Sequence, residues 1–295
     1  MKQRGIALIT VLLMIVMMSL LAVAGQRQWI SALRRAENIQ QQQQAKWAVA
    51  GAEQWLLQHP AEVADGKPHT LRLEESTVRY RWQDRQTCFN LNALAMPARR
   101  DNDGVMWPTA AQRIFAQLLR QQGVTEPQIA HMLTAITARL NPAQVRKPSP
   151  ALDDKTQLRD MPELADPLWS ALANQLCVLP ETRLQININA LTREHLPLLR
   201  AMLADSLEPH TLNALLANRP AAGWRDVDAF MAMLPEALKT QASTLQSVVV
   251  TESQYRELSI WLVNDHTFVA LRSQTVKEKT RLKVLYRQYG VSDAS

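Results

Sequence analysis

No charged residue occurs between Gly5 and Gln26, and apolar side chains dominate from Ile6 to Ala24. A helix needs about 20 such residues to cross the hydrocarbon core of a bilayer, so this run fixes the first element of the fold. It has two possible fates. The stretch "LAVAG" offers an A-x-A site after Ala24, where a secretory signal would be removed. Against removal, the run is longer than the roughly 7–15 apolar residues of an ordinary signal peptide. The helical pattern also continues: Gln26 to Gln58 contains no proline and a single glycine, Gly51. These residues are rich in Ala, Gln, Arg, Leu and Glu, all good helix formers. Trp29, Leu33, Ala45, Val49, Ala52 and Leu56 fall near one helical stripe, and Pro60 ends the run. One helix from Ile6 to Gln58 is predicted to be about 80 Å long at ~1.5 Å per residue, apolar all round in its first half and amphipathic in its second.

A leader with Lys2 and Arg4, a glycine, an apolar residue and then this helix resemble the type IV pilin and type II secretion pseudopilin signature. The resemblance implies that a prepilin peptidase cuts between Gly5 and Ile6 and that Ile6 becomes N-methylated. The retained helix would anchor the chain in the membrane and later pack in the core of a filament, two settings that both exclude polar surface. Most subunits of that kind carry a glutamate five residues into the mature chain. Here the position is Thr10. The substitution resembles the K-type minor pseudopilins, which are thought to cap the filament tip.

Beyond Pro60 the pattern alternates. "TLRL" (Thr70–Leu73) and "TVRYRW" (Thr77–Trp82) read as short strands, the second with Val78, Tyr80 and Trp82 on one face. Near the C-terminus "ELSIWLV", "TFVALR" and "RLKVLYR" read the same way, with Asn264-Asp265-His266 as a turn. Between these stretches lie helical patterns. Thr109 with Gln112, and Thr125 with Gln128, form capping-box pairs, and Asp166-Pro167 opens "LWSAL". Further helices are predicted over 192–203, 209–218 and 227–234. "CFNLNAL" and "QININAL" share N-x-N-A-L, each reading as a short strand that runs into an Asn-capped helix. Both segments, with "RPAAGWRDVDAF" (Arg219–Phe230), resemble K-type pseudopilins, in which they bound a helical domain inserted into the pilin sheet.

The fold expected is therefore α+β: a pilin-like long N-terminal helix and an antiparallel sheet interrupted by a large, all-helical, SAM-like domain. The expected divisions are a leader (1–5), a transmembrane and filament-core helix (6–25), an amphipathic helix with the first strands (26–88), the insert (89–244, in blocks of about 89–184 and 185–244) and the closing strands (245–295). The resemblance implies I-type and J-type minor pseudopilins as partners in a tip trimer, with the H-type and major subunits, the inner-membrane assembly platform and the prepilin peptidase besides. It implies no catalysis, an inner-membrane anchor and a periplasmic body. A membrane-anchored periplasmic adaptor outside any filament is the alternative.

Charge does not orient the span, since Lys2 and Arg4 flank one side and Arg27, Arg34 and Arg35 the other. Cys88 and Cys177 match no metal-binding spacing. They sit beside the two limits of the first helical block, where a cross-link would pin its ends and require an oxidising compartment; two buried thiols are the other reading. K-type pseudopilins also resemble one another in carrying calcium in an acidic loop of the insert. The matching loop, "SPALDDKTQLRDMPEL" (Ser149–Leu164), offers Asp153, Asp154, Asp160 and Glu163 for at most one weak site. Arg146, Lys147, Lys155 and Arg159 oppose it, and Asp153 and Asp160 read equally well as ordinary loop and cap residues.

A net charge of +6 without a basic run of five gives little reason to expect nucleic acid. The second helical block resembles helix-hairpin-helix DNA-binding folds, but the connection "LADSLEP" lacks their Gly-x-Gly and carries two acidic residues. Neither G-x-S-x-G, a Walker loop nor H-E-x-x-H occurs, and eight glycines leave little for phosphate cradles. "RDNDG" (Arg100–Gly104) resembles a calcium loop in part but lacks the bidentate glutamate, so it reads as a solvated turn.

Overall fold

A computed structural model describes residues 3–60, 64, 66–73, 76–236, 238, 242–263, 267–279 and 281–290, with side chains from Ile9 onward except at 242 and 243. The expected turn at Asn264-Asp265-His266 and the side chain of Ile6 lie outside these described residues. In chain order the elements are α1 (Gln3–Gln58), β1 (His69–Arg72), β2 (Thr77–Asp84), β3 (Phe89–Asn90), β4 (Arg99–Arg100), β5 (Met106–Trp107), α2 (Ala110–Gln121) and α3 (Glu126–Leu140). There follow α4 (Leu168–Leu172), β6 (Leu176–Cys177), β7 (Ile186–Asn187), α5 (Leu196–Met202), α6 (Pro209–Ala217), α7 (Val227–Met231), α8 (Ala242–Val248), β8 (Val249–Val250), β9 (Tyr255–Val263), β10 (Phe268–Glu278) and β11 (Arg281–Tyr289).

Helix α1 runs without a break through 56 residues, because nothing in it interrupts the backbone ladder before Pro60. Its stripe divides. Ala45, Val49, Ala52 and Leu56 are buried against the sheet, whereas Trp29 and Leu33 stay exposed, since the sheet extends under only the last few turns of the helix. The sheet has five antiparallel strands in the order β1-β2-β9-β10-β11. Because strand side chains alternate, Val78 and Trp82 on β2, Leu258, Ile260 and Leu262 on β9, and Val269 and Leu271 on β10 turn one face to α1.

Strands β2 and β9 are neighbours in the sheet but far apart in sequence, and the chain between them forms the insert. The insert has its own core, which includes Phe89, Leu94, Phe115, Leu119, Ile136, Leu172, Leu199, Trp224 and Phe230. Thr109 caps α2 through a capping box with Gln112. Helix α4 departs from the expected pattern: Pro167 occupies its cap position, and Asp166 instead accepts a hydrogen bond from the Ser170 hydroxyl at 2.8 Å. The expected helix over 192–203 begins as a 3₁₀ turn at Arg193–His195 before α5, because Pro197 supplies no backbone N–H for an α-helical start further back.

Two short parallel pairs divide the insert. Strand β3 pairs with β6 (Phe89 opposite Leu176, Asn90 opposite Cys177), and β7 pairs with β8 (Ile186 opposite Val249, Asn187 opposite Val250). Each block therefore begins with an N-x-N strand and ends with a strand laid alongside it. The four strands stand apart from the main sheet, and they mark the limits of the two blocks at 89–177 and 186–250.

The assembly helix and the insert junction

In the first half of α1 the apolar side chains from Ile9 to Val23 are exposed. The large ones are 48–73% exposed. Mean hydropathy reaches 2.3 over an 18-residue window, and this is the only helix among the described residues long and apolar enough to cross a membrane. A soluble protein rarely leaves so large an apolar surface open, so the segment needs lipid or other helices around it. Thr10 lies on this surface.

Further along, Glu53 is buried between α1 and the sheet. It accepts hydrogen bonds from the Ser273 hydroxyl (2.6 Å) and from Arg287 Nε (2.9 Å to each oxygen). A buried carboxylate is tolerable only when paired in this way, and the pair ties the helix to the outermost strand, β11. The hydrophobic periodicity of α1 did not single out Glu53, because a charged residue inside an apolar stripe reads as solvent-facing.

The insert is fastened where β2 ends and β9 begins. Asp84 accepts from the Gln86 backbone amide (2.8 Å), Asn187 Nδ2 (2.9 Å) and the Ser253 hydroxyl (2.6 Å). The Asn187 amide donates to the Gln86 carbonyl at 2.7 Å. Each N-x-N pair then does the same two jobs. The first asparagine accepts from the backbone of the second: Asn92 N–H to Asn90 Oδ1 (3.2 Å), and Asn189 N–H to Asn187 Oδ1 (3.0 Å). The second bridges remote backbone. Asn92 donates to the Leu152 and Leu179 carbonyls and accepts from Ala151 and Leu152. Asn189 donates to the Trp224 and Thr251 carbonyls and accepts from the Trp224 amide. An amide side chain suits this role because it donates and accepts at once. The first pair leads into a 3₁₀ turn, Leu91–Ala95, capped by Asn90, and the second leads into a turn in place of the expected Asn-capped helix.

Gly223 explains part of "RPAAGW". Its φ is +78°, and a Cβ there would lie 2.7 Å from Asn189 Cγ. Gly223→Ala is expected to destabilise the second block by about 1–3 kcal/mol, combining a left-handed alanine with the displaced Asn189. Gly123, at φ +79° with open space around it, provides the control. Gly123→Ala should cost clearly less in urea unfolding followed by tryptophan fluorescence, and equal losses would remove the role assigned to the contact with Asn189.

Cys88 and Cys177 are joined by a disulfide, with Cα atoms 5.7 Å apart, at the β3–β6 pair that closes the first block. The four carboxylates of the acidic loop have separate surroundings. Asp154 caps a 3₁₀ turn and accepts from the Thr156 amide and hydroxyl, which together hold its carboxyl below the usual range although burial raises it. Asp160 meets Arg139 at 3.2 Å, and Glu163 meets His131 at 3.4 Å. The Asp153 amide is engaged by Gln157. Lys155, pushed down chiefly by burial and then by Arg85, donates to the Ala173 carbonyl. Among the described residues no three His, Cys, Asp or Glu side chains come together as a metal-binding group. In "RDNDG", Asp101 accepts from the Asp103 and Val105 amides and from Trp107 Nε1, and so closes an exposed hairpin of β4 and β5.

Comparison with known proteins places these features. Residues 186–251 match the family model described as type II secretion system (T2SS), protein K, a span that coincides with the second block from β7 to just past β8. The chain is 26% identical to the putative type II secretion system protein K of Escherichia coli (strain K12), over 97% of this chain and 99% of that protein. It is 28% identical to the type II secretion system protein K of Dickeya chrysanthemi, over 98% and 97%. The chain is thus similar to type II secretion protein K over nearly its whole length. A solved structure, the crystal structure of the GspK-GspI-GspJ complex from the enterotoxigenic Escherichia coli type 2 secretion system, matches with a TM-score of 0.67 and 26% identity over 88% of this chain and 100% of that one. These likenesses are to minor pseudopilins of protein K type, and the long apolar N-terminal helix of this chain is a candidate membrane anchor.

Proposed function

We propose that the chain is a structural, non-enzymatic subunit at the tip of a type II secretion pseudopilus, needed to initiate the pseudopilus and to export folded proteins. The observation that carries the reading is where the insert is attached. Pro60, just past the end of α1, lines the same cleft as Asp84, Asn187 and Ser253. The insert therefore sits at the end of the helix remote from the apolar segment. In a filament whose core is made of parallel α1 helices, that is the end against which a further subunit would stack. A bulky domain there favours the last position. Thr10 is consistent with it, since a terminal subunit makes no core contact that needs a carboxylate. The likeness to a chain solved in complex with GspI and GspJ supports I-type and J-type subunits as partners, with H-type and major subunits below and the assembly platform and prepilin peptidase in the membrane. The Cys88–Cys177 disulfide favours an oxidising compartment, and so a periplasmic body on a single inner-membrane span.

Deletion of the gene in its host should stop export of folded periplasmic proteins, and re-expression should restore it. Mass spectrometry of the mature protein should find N-methyl-Ile6 as its first residue. Normal export in the deletion strain overturns the tip function. A first residue of Gly25 means a cleaved secretory signal, and Met1 means a plain anchor of the adaptor kind.

A further inference from the structure

The sheet face turned away from α1 carries a second open surface. Pairing register puts Arg79 of β2 beside Trp261 of β9, and Val263 of β9 beside Phe268 of β10. Arg81 lies two residues along β2 on the same face, and Arg72 closes the row on β1. Nearer the junction this face is occupied: Glu257 is buried against Arg85 (3.5 Å) and Arg272 (3.3 Å), and Lys155 of the insert lies within their electrostatic reach. Toward the β9–β10 hairpin it is open, with Val263 64% and Phe268 48% exposed.

Among the described residues the charges toward this open end are one-sided. Arg79 stacks over the Trp261 ring, 5.8 Å from its centre, and no described carboxylate pairs with Arg72, Arg79 or Arg81. The Arg81 Nε is buried without a hydrogen-bond partner, which leaves a desolvated donor aimed at nothing in the chain. An aromatic and apolar centre bordered by arginines is the composition of an interface hot spot. We propose that this face docks an acidic protein segment: an apolar side chain against Trp261, Val263 and Phe268, flanked by carboxylates that pair with Arg72, Arg79 and Arg81. A second copy of this chain is disfavoured by its net charge of +6 and by the matching arginines it would present. The inference concerns the face alone and stands apart from the tip position.

The test uses the full-length chain in its host, with the photo-crosslinker p-benzoylphenylalanine in place of the exposed Phe268. Irradiation is expected to give one discrete protein adduct, whose cross-linked peptide, read by mass spectrometry, carries Asp or Glu within a few residues of the joined site. Arg79→Glu with Arg81→Glu should reduce the adduct at least tenfold, while Arg79→Lys with Arg81→Lys keeps most of it. Lysine in place of the partner's carboxylates should restore the adduct to the charge-reversed chain. Thermal unfolding establishes that both double variants fold; if the Glu pair does not, the partner's carboxylate-to-lysine change against the unmodified face decides alone, with the same tenfold loss expected. Absence of an adduct, an adduct to lipid or to a second copy, or an adduct indifferent to charge reversal overturns the proposal.

Discussion

Replacing Cys88 and Cys177 by serine is expected to lower the stability of the insert by about 2–4 kcal/mol, and reduction of the wild-type protein should produce the same loss. The two cysteines are 89 residues apart, and closing a loop of that length restricts the unfolded chain by up to about 4–5 kcal/mol in the chain-entropy account. The folded state has other ties at the same place, which is why the block should still fold. Asn90 donates to the Glu181 carbonyl at 2.7 Å and accepts from the Leu179 amide at 3.0 Å, and Phe89 is buried against Phe115. The loss should be local. The sheet and the second half of α1 have a separate core and should unfold at an unchanged midpoint. Urea unfolding of the detergent-solubilised chain, followed by amide hydrogen exchange read separately on peptides of the insert and of the sheet, measures both. A serine variant whose insert transition stays within about 0.5 kcal/mol of the oxidised protein would show that the bridge constrains nothing that the hydrogen bonds do not already hold.

That bridge also shows what a single sequence does and does not reveal. The helix, the alternating strands and the capping boxes are legible because each is written in neighbouring residues. Val78 and Trp82, or Thr109 and Gln112, need no knowledge of the rest of the chain. The repeated N-x-N-A-L was visible too, but its work was not. Asn92 and Asn189 bond to backbone groups as far as 87 residues away, and those pairings exist only once the blocks have closed. The same holds for Glu53, whose partners Ser273 and Arg287 lie more than 200 residues further on. The acidic loop gives the reverse lesson. Asp154, Asp160 and Glu163 are close in sequence, yet their carboxylates meet Thr156, Arg139 and His131, because a winding loop sends nearby side chains in different directions, and at Asp153 it is the backbone amide that Gln157 engages. The open face at Trp261 was hidden for a further reason: strand alternation gives its two sides but not which of them the insert leaves bare.

The apolar half of α1 permits a cleaner separation of anchor from fold. Ile15 sits in mid-segment and is 58% exposed, so Ile15→Arg should leave the thermal unfolding of the body unchanged. The eleven Leu, Ile and Val residues between Ile6 and Ala24 favour insertion by about 0.3–0.6 kcal/mol each, or roughly 3–7 kcal/mol together. One arginine at the centre opposes this by about 2.5–3.5 kcal/mol, and its long side chain snorkels toward the headgroups. The single variant should therefore remain mostly in the membrane fraction. In the proposed filament no headgroups are within reach, and a guanidinium set among apolar helices has neither water nor a carboxylate partner. Export should then fall at least tenfold while the protein is still anchored. A second charge, Leu12→Arg together with Ile15→Arg, brings the insertion sum to zero or above, and the chain should then move to the soluble fraction. Membrane fractionation, an export assay and a melting curve on the same three strains test this order of effects. Wild-type export by the single variant would mean that this segment anchors the subunit but does not pack in an assembly, and a double variant that stays in the membrane would mean that something other than α1 holds it there.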